Sequence, residues 1–288
     1  MIKKGIILAG GIGSRMSPLT KAVNKQLLPL YDKPLIYYPL SIFMLAGIRE
    51  ILIIVNKGQL NQFRKILPEK NNLGLKIQYK EQIKPEGLPH AFIIGEKFIG
   101  KDSVSLILGD NFFYGQSLTK ILKKNISLKT GAKIFLHPVK NPHLYGVATI
   151  NNKKKIIRLI EKPKKYKSNL AITGLYFFDN KVIEFAKKLK PSPRGELEII
   201  DLLNIYRKKN KCSFDYIGRG GSWLDTGNIR DYYDASNFVS AIENRQGLKI
   251  ACLEEIALNN KWINKNEIKK SIIFYGNCEY SKYLRSLI

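Results

Sequence analysis

Four short β-branched runs, Lys4–Leu8, Ile51–Val55, Leu75–Lys80 and Val104–Leu108, alternate through the first half of the chain with amphipathic stretches near Leu35–Ala46, Gln59–Leu67 and Ala91–Phe98. Such alternation predicts parallel strands joined by crossover helices, an α/β sheet. In an open sheet of this kind the C-terminal ends of the strands share one edge, and ligands bind there. From Lys133 the β segments come closer together, at Lys133–Val139, Gly146–Ile150, Ile156–Glu161 and Leu170–Phe177, broken by Asn-Pro, Asn-Asn and Lys-Pro turn signals. Strand and helix then alternate again through Val182–Leu189, Glu196–Lys208, Cys212–Ile217 and Ile229–Asn244, and the residues from Leu248 read as short helices. No internal repeat or low-complexity linker interrupts this order. The expectation is a Rossmann-like, mixed but mainly parallel sheet flanked by helices, with one main domain over 1–247 and a helical tail over 248–288.

The 288 residues, 44% hydrophobic and 25% charged, suffice to bury a sizeable core. Apolar runs such as Val104–Leu108 are too short to cross a bilayer. Met1-Ile2-Lys3-Lys4-Gly5 lacks the long apolar stretch and cleavage site of a signal peptide, so the expected site of action is cytoplasmic, with no membrane partner. Cys212, Cys252 and Cys278 are odd in number and widely spaced, which argues against a disulfide framework and against a C-x-x-C zinc site. A net charge of +26 would suit nucleic acid. The basic residues are scattered, however, Lys greatly outnumbers Arg, and the clusters Lys153-Lys154-Lys155 and Lys187-Lys188 read as a turn tip and a helix end. No nucleic-acid partner is expected.

The chemistry begins between the first strand and the first helix, in Leu8-Ala9-Gly10-Gly11-Ile12-Gly13-Ser14-Arg15-Met16, with Lys25 following in Asn24-Lys25-Gln26-Leu27-Leu28-Pro29. Gly10, Gly11 and Gly13 let the backbone turn sharply and bring N–H groups close to phosphate oxygens, beside the hydroxyl of Ser14, while Arg15 and Lys25 neutralise triphosphate charge. A dinucleotide fingerprint would need Gly where Met16 stands, and a Walker A loop would need Gly-Lys-Ser/Thr. Asp110 follows the strand Val104–Leu108 after a single Gly, which puts a carboxylate at the ligand edge, where a hard cation could be held. Asp225, in Gly221-Ser222-Trp223-Leu224-Asp225-Thr226-Gly227, reads from its own neighbours first as a turn residue.

These motifs resemble bacterial glucose-1-phosphate thymidylyltransferases, within the wider sugar nucleotidyltransferases. The resemblance runs nearly end to end through Lys25-Gln26-Leu27-Leu28-Pro29, Tyr31-Asp32-Lys33-Pro34, Leu108-Gly109-Asp110-Asn111, Glu161-Lys162-Pro163, Thr173-Gly174-Leu175-Tyr176, Arg194-Gly195-Glu196-Leu197-Glu198 and Trp223-Leu224-Asp225-Thr226-Gly227. It implies transfer of a thymidylyl group from dTTP to glucose 1-phosphate, giving dTDP-glucose and pyrophosphate on the way to dTDP-L-rhamnose. It implies Mg²⁺ held jointly by Asp110 and Asp225. It implies Lys162 and Arg194 on the sugar phosphate, and Asn111, Tyr145, Gly146, Glu161 and Thr173 around the hexose in the inserted β segments. Gln82 and Gly87 are expected at the base, where a glutamine amide offers a donor and an acceptor to the imide edge of thymine or uracil. A homotetramer with feedback by a dTDP-sugar is implied for the tail.

No general base is required, because a sugar phosphate is already an anionic nucleophile; His90, His137 and His143 form no evident Ser-His-Asp set. Where the family usually has Gly-Leu-Ala-Gln-Ala, this chain has Gly87-Leu88-Pro89-His90-Ala91, and the choice between dTTP and UTP stays open. A UTP- or CTP-using relative, a degenerate regulator and a basic nucleic-acid-binding protein are the alternatives.

Overall fold

In the computed structural model, which describes Met1 to Ile288, the first half of the chain runs β1 (Lys4–Ala9), a hairpin of β2 (Pro29–Leu30) and β3 (Lys33–Pro34), α1 (Tyr37–Ala46), β4 (Glu50–Asn56), α2 (Leu60–Ile66), β5 (Lys76–Gln82), α3 (His90–Ile94), α4 (Glu96–Ile99) and β6 (Val104–Leu108). It continues through β7 (Asn111–Tyr114), α5 (Leu118–Asn125), β8 (Ala132–Pro138), β9 (Gly146–Ile150), β10 (Ile156–Glu161), β11 (Leu170–Phe178), α6 (Val182–Lys187), α7 (Ile199–Lys208), β12 (Cys212–Tyr216) and β13 (Ser222–Asp225). The end of the chain is helical: α8 (Ile229–Gln246), α9 (Leu253–Asn259), α10 (Lys265–Tyr275) and α11 (Glu279–Ser286). The four predicted strands of the first half are present within two residues of their expected ends. They pair in parallel in the order β6, β1, β4, β5, within a nine-stranded sheet. Antiparallel β11 extends this sheet from β6 towards β8, β9 and β10, and β12 joins β8 in parallel, so the sheet is mixed.

Side chains alternate across each strand, and the sheet therefore feeds two cores. Ile7, Ile53 and Ile107 face one core with Phe43 of α1 and Leu122 of α5. Ile6, Leu52 and Leu106 face the other with Phe92 of α3, Val182 of α6 and Leu203 of α7. Helices thus cover both faces, as parallel strands buried on both sides require. The expected helix at Ala91–Phe98 is divided into α3 and α4 at Gly95. A Cβ on Gly95 would stand 2.9 Å from Cδ1 of Ile6, so the chain is smallest and bends where it lies closest to β1. The expected helix at Glu196–Lys208 begins only at Ile199, because the N–H of Leu197 donates instead to the carbonyl of Glu86.

The tail helices pack back on α1, where Leu253 and Ala257 of α9 join the first core, and Cys252, Ile268, Tyr280 and Leu284 form a small core of their own. The β2–β3 hairpin is fastened to α8 through a buried ion cluster: Lys33 pairs with Asp32 and, at 2.8 Å, with Glu243, which also meets Lys249 at 3.1 Å. Substituting Lys33→Met is expected to cost about 3 kcal/mol of unfolding free energy, measured by urea denaturation, since it removes the buried cation shared by Asp32 and Glu243 and leaves both carboxylates to Lys249 alone. No helix is long and apolar enough to cross a membrane.

Candidate active site

The two remaining strands, β7 and β13, stand outside the main sheet and build the centre of the site. They pair antiparallel with Asp225 opposite Asn111. The register is locked just beyond the ribbon, where Thr226 donates to the Asp110 carbonyl from its N–H at 3.1 Å and from its hydroxyl at 2.7 Å. Two aspartates more than a hundred residues apart in sequence thereby reach one wall of one cavity. Asn111, buried beneath them, accepts at Oδ1 from the indole N–H of Trp223 at 2.6 Å and from Gly174 N–H at 3.0 Å, and donates to Oδ1 of Asp110 at 3.0 Å.

The carboxylates differ electrostatically. Burial pushes the Asp110 carboxyl up, but the ammonium of Lys25, ion-paired with it, and hydrogen bonds from Lys25 and Asn111 outweigh burial and hold it below the usual range. Asp225 forms no ion pair of its own; burial first, and then the charge of Asp110, push it up to about 7 against the pull of Lys25 and Arg15. Two acidic groups driven together in this way fit a hard divalent cation. No third His, Cys, Asp or Glu joins them, so a cation there would complete its oxygen shell from phosphate and water.

Because the folded protein holds a proton on Asp225 above the pH at which an unfolded aspartate has lost it, this group's contribution to stability is complete below about pH 4. It is lost as pH rises through about 7. The metal-free protein is therefore expected to lose thermal stability between pH 5 and pH 8 more steeply than its Asp225→Asn variant, as scanning calorimetry would show.

Two adjoining cavities share Leu88, Leu108 and Asp110. The first, about 200 Å³, is lined by Gly10, Gly11, Gly13, Lys25, Gln82 and Gly87, all expected at the nucleotide. Gln26 lines it too, with a buried Oε1 that has no protein partner, a residue the sequence reading passed over although it adjoins Lys25. The second, about 220 Å³, is lined by Asn111, Tyr145, Gly146, Glu161, Lys162 and Asp225, and also by Arg15, which is expected at the nucleotide and does not line the first cavity. Arg15 and Asp225 converge on Gly227, where a Cβ would stand 2.8 Å from Nη2 of Arg15 and 3.2 Å from Oδ1 of Asp225. Lys162 adopts a positive φ of 40° and donates its N–H to the Tyr145 carbonyl at 3.0 Å, a strained setting for a lysine at the rim of a site. Burial raises the carboxyl of Glu161, against the opposing pull of Lys162.

Three expected residues lie elsewhere. Ser14 is exposed and lines neither cavity. Thr173 is fully buried, because β11 alternates: Ile172, Gly174 and Tyr176 face the second cavity and Thr173 faces away. Arg194 stands at the rim, 3.7 Å from Glu161, with its guanidinium held by Glu198 at 2.8 and 2.9 Å. Trp223 and Tyr176, quoted in motifs but assigned no role, line the second cavity. A larger cavity of about 440 Å³, between Lys154, Arg207 and Tyr216, adjoins Ile156 at the far end of β10 from Glu161 and holds no carboxylate pair.

A glycine loop and paired carboxylates at the C-terminal edge of a parallel sheet define a nucleotidyltransferase site. The sequence matches the nucleotidyl transferase family over residues 4–242. It is 49% identical over 285 residues, 99% of each chain, to the glucose-1-phosphate thymidylyltransferase of Neisseria meningitidis serogroup A. A Bacillus anthracis protein assigned as a glucose-1-phosphate thymidylyltransferase superposes with a TM-score of 0.76 at 39% identity, over 82% of this chain and 94% of that one. A UDP-glucose pyrophosphorylase complexed with UDP-glucose superposes at 0.71 with 27% identity, over 85% of this chain and 100% of that one. The chain belongs to the nucleotidyl transferase family, in the branch of the glucose-1-phosphate thymidylyltransferases. That family uses a divalent metal ion.

Proposed function

We propose that the protein transfers a thymidylyl group from dTTP to glucose 1-phosphate, and that Asp110 and Asp225 together hold the Mg²⁺ the reaction uses. The observation that carries this reading is the pairing of β7 with β13, which brings Asp225 into the second cavity beside Asp110, the carboxylate that both cavities share. In the reaction an oxygen of the sugar phosphate bonds to the α-phosphorus of dTTP, while the bond from that phosphorus to the bridging oxygen breaks and pyrophosphate departs. When bound, the cation would neutralise charge gathered on the reacting phosphates. Arg15 and Lys25 offset the charge of the triphosphate and of the leaving pyrophosphate. Lys162 and Arg194 orient the sugar phosphate, with Arg194 exchanging Glu198 for phosphate. Asn111, Tyr145, Gly146 and Glu161 surround the hexose, and Thr173 shapes the strand behind it.

Gln82 reads the base, but with half of its amide. Its Nε2 donates to the carbonyl of Gly10 and, at 3.2 Å, to Oδ1 of Asn56. Only the Oε1 acceptor is left for the N3–H of thymine or uracil, and it would repel the unprotonated N3 of cytosine. Turnover with glucose 1-phosphate is therefore expected to be highest with dTTP and at least about a hundredfold lower with CTP, as buried unpaired acceptors discriminate strongly. UTP turnover equal to or above that with dTTP would overturn the thymidylyl assignment.

The region 1–247 is the catalytic domain in this reading, acting in the cytoplasm on the route to dTDP-L-rhamnose. The tail 248–288 carries subunit contacts of a homotetramer and feedback by a dTDP-sugar. Ile273 and Phe274 on α10, 80% and 65% exposed, support the assembly. Light scattering is expected to give four chains per particle, and a monomer at working concentration would contradict it.

A further inference from the structure

Four carbonyl oxygens of the glycine loop accept from side chains. That of Ala9 accepts from Nδ2 of Asn24 at 3.1 Å, that of Gly10 from Nε2 of Gln82, and that of Gly11 from Nδ2 of Asn56 at 3.2 Å. Gly13 accepts from the hydroxyl of Thr20 at 2.7 Å. Two of the donors are linked to each other, Nε2 of Gln82 donating to Oδ1 of Asn56, and Nδ2 of Asn24 also donates to Oε1 of Gln59 at 2.6 Å. Asn24 is buried, and its Oδ1 accepts the N–H of Gln26, so the same residue that fastens the loop also caps the short turn carrying Lys25. By contrast, the N–H groups of Gly10, Gly11, Ile12, Gly13 and Ser14 donate to no carbonyl. Across a planar trans peptide the carbonyl and the next N–H point in opposite directions. Fixing carbonyls 9, 10 and 11 on these donors therefore fixes the directions of N–H groups 10, 11 and 12, each pointing away from the donor that holds the carbonyl before it.

We propose that Asn24, Asn56 and Gln59 are positioning residues which, with Gln82, form a belt of side-chain amides that presets the loop's free N–H groups for the polyphosphate of the nucleotide. The proposal rests on the reading of this cavity as the nucleotide site. A loop without the belt could rotate a carbonyl towards the phosphates, replacing an attractive dipole by a repulsive one. Holding the donors in advance removes the cost of ordering them on binding.

The test uses the full chain with Asn24→Ala and Asn56→Ala, and Arg15→Ala as a reference. Binding of inorganic pyrophosphate is measured by calorimetry, and KM and kcat are measured for dTTP and for glucose 1-phosphate. Each belt variant is expected to weaken pyrophosphate binding and raise the KM for dTTP about five- to tenfold, the loss of one loop hydrogen bond, while the KM for glucose 1-phosphate moves less than about twofold. Asn56, only half-buried, keeps the test valid if Asn24→Ala folds poorly. Unchanged pyrophosphate binding in Asn56→Ala, or an equal rise in both KM values, alongside weakened binding in Arg15→Ala, overturns the belt and leaves the site reading standing. Unchanged binding in Arg15→Ala as well removes the polyphosphate reading and the belt together.

Discussion

Asp225→Asn and Asp110→Asn are each expected to lower turnover by about a hundredfold or more, because the cation they would share supplies several kcal/mol of charge stabilisation in the transition state. Their effects on stability should have opposite signs, which separates this site from a merely structural acidic pair. Asp225 is buried beside Asp110 without a cation of its own, and its carboxyl is pushed up to about 7. An amide of the same shape removes that repulsion, so the metal-free Asp225→Asn protein should melt higher than the parent at pH 8. Asp110 neutralises Lys25, whose side chain is 7% exposed. Its loss strands a buried ammonium, and a cost of about 3 kcal/mol is expected in urea denaturation. Near-normal turnover in either variant would remove the paired-carboxylate assignment. Equal destabilisation of both would remove the electrostatic account.

Gly87→Ala should act on nucleotide binding with comparable force. Gly87 has a φ of +101°, a region costly for any residue with a Cβ. It also lies against the backbone of Leu197, where a Cβ would stand 2.1 Å from the carbonyl oxygen and 2.7 Å from the nitrogen. Neither atom is a flexible side-chain end. Relief requires the segment carrying Gln82 and Gly87 to part from the segment leading into α7, breaking the bridge between Gly87 and Leu197. Strain of about 1–3 kcal/mol, relieved only by displacing the cavity wall, corresponds to a KM for dTTP raised about tenfold or more. Steady-state kinetics with dTTP varied at saturating glucose 1-phosphate is the direct measurement, and an unchanged KM would show that the wall has another way to yield.

Which parts of the site were legible in the chain follows from the range of the interactions involved. The parallel strands could be read because β-branched runs and their alternation are local. Asp110 could be placed at the ligand edge because it follows β6 by a single Gly. Asp225 could not, since its own neighbours describe a turn, and only similarity to a family singled it out. Gln82 was legible as a base-reading amide, but the commitment of its donor to Gly10 was not. Thr173 shows the cost of carrying a motif over without its pleat: one position along β11 separates the cavity wall from the opposite core.

What the chain by itself determined is the order of strands and helices, the placement of a glycine loop after β1, and the supply of Arg15, Lys25 and Asp110 at one edge, all consequences of periodicity and backbone preference within a few residues. Tertiary structure alone decided that Asp225 lies beside Asp110, and that Asn56 of β4 and Gln82 of β5 hold the carbonyls of Gly11 and Gly10. Each of these depends on register between segments far apart in sequence, and register is set by how whole faces pack, which no local pattern contains.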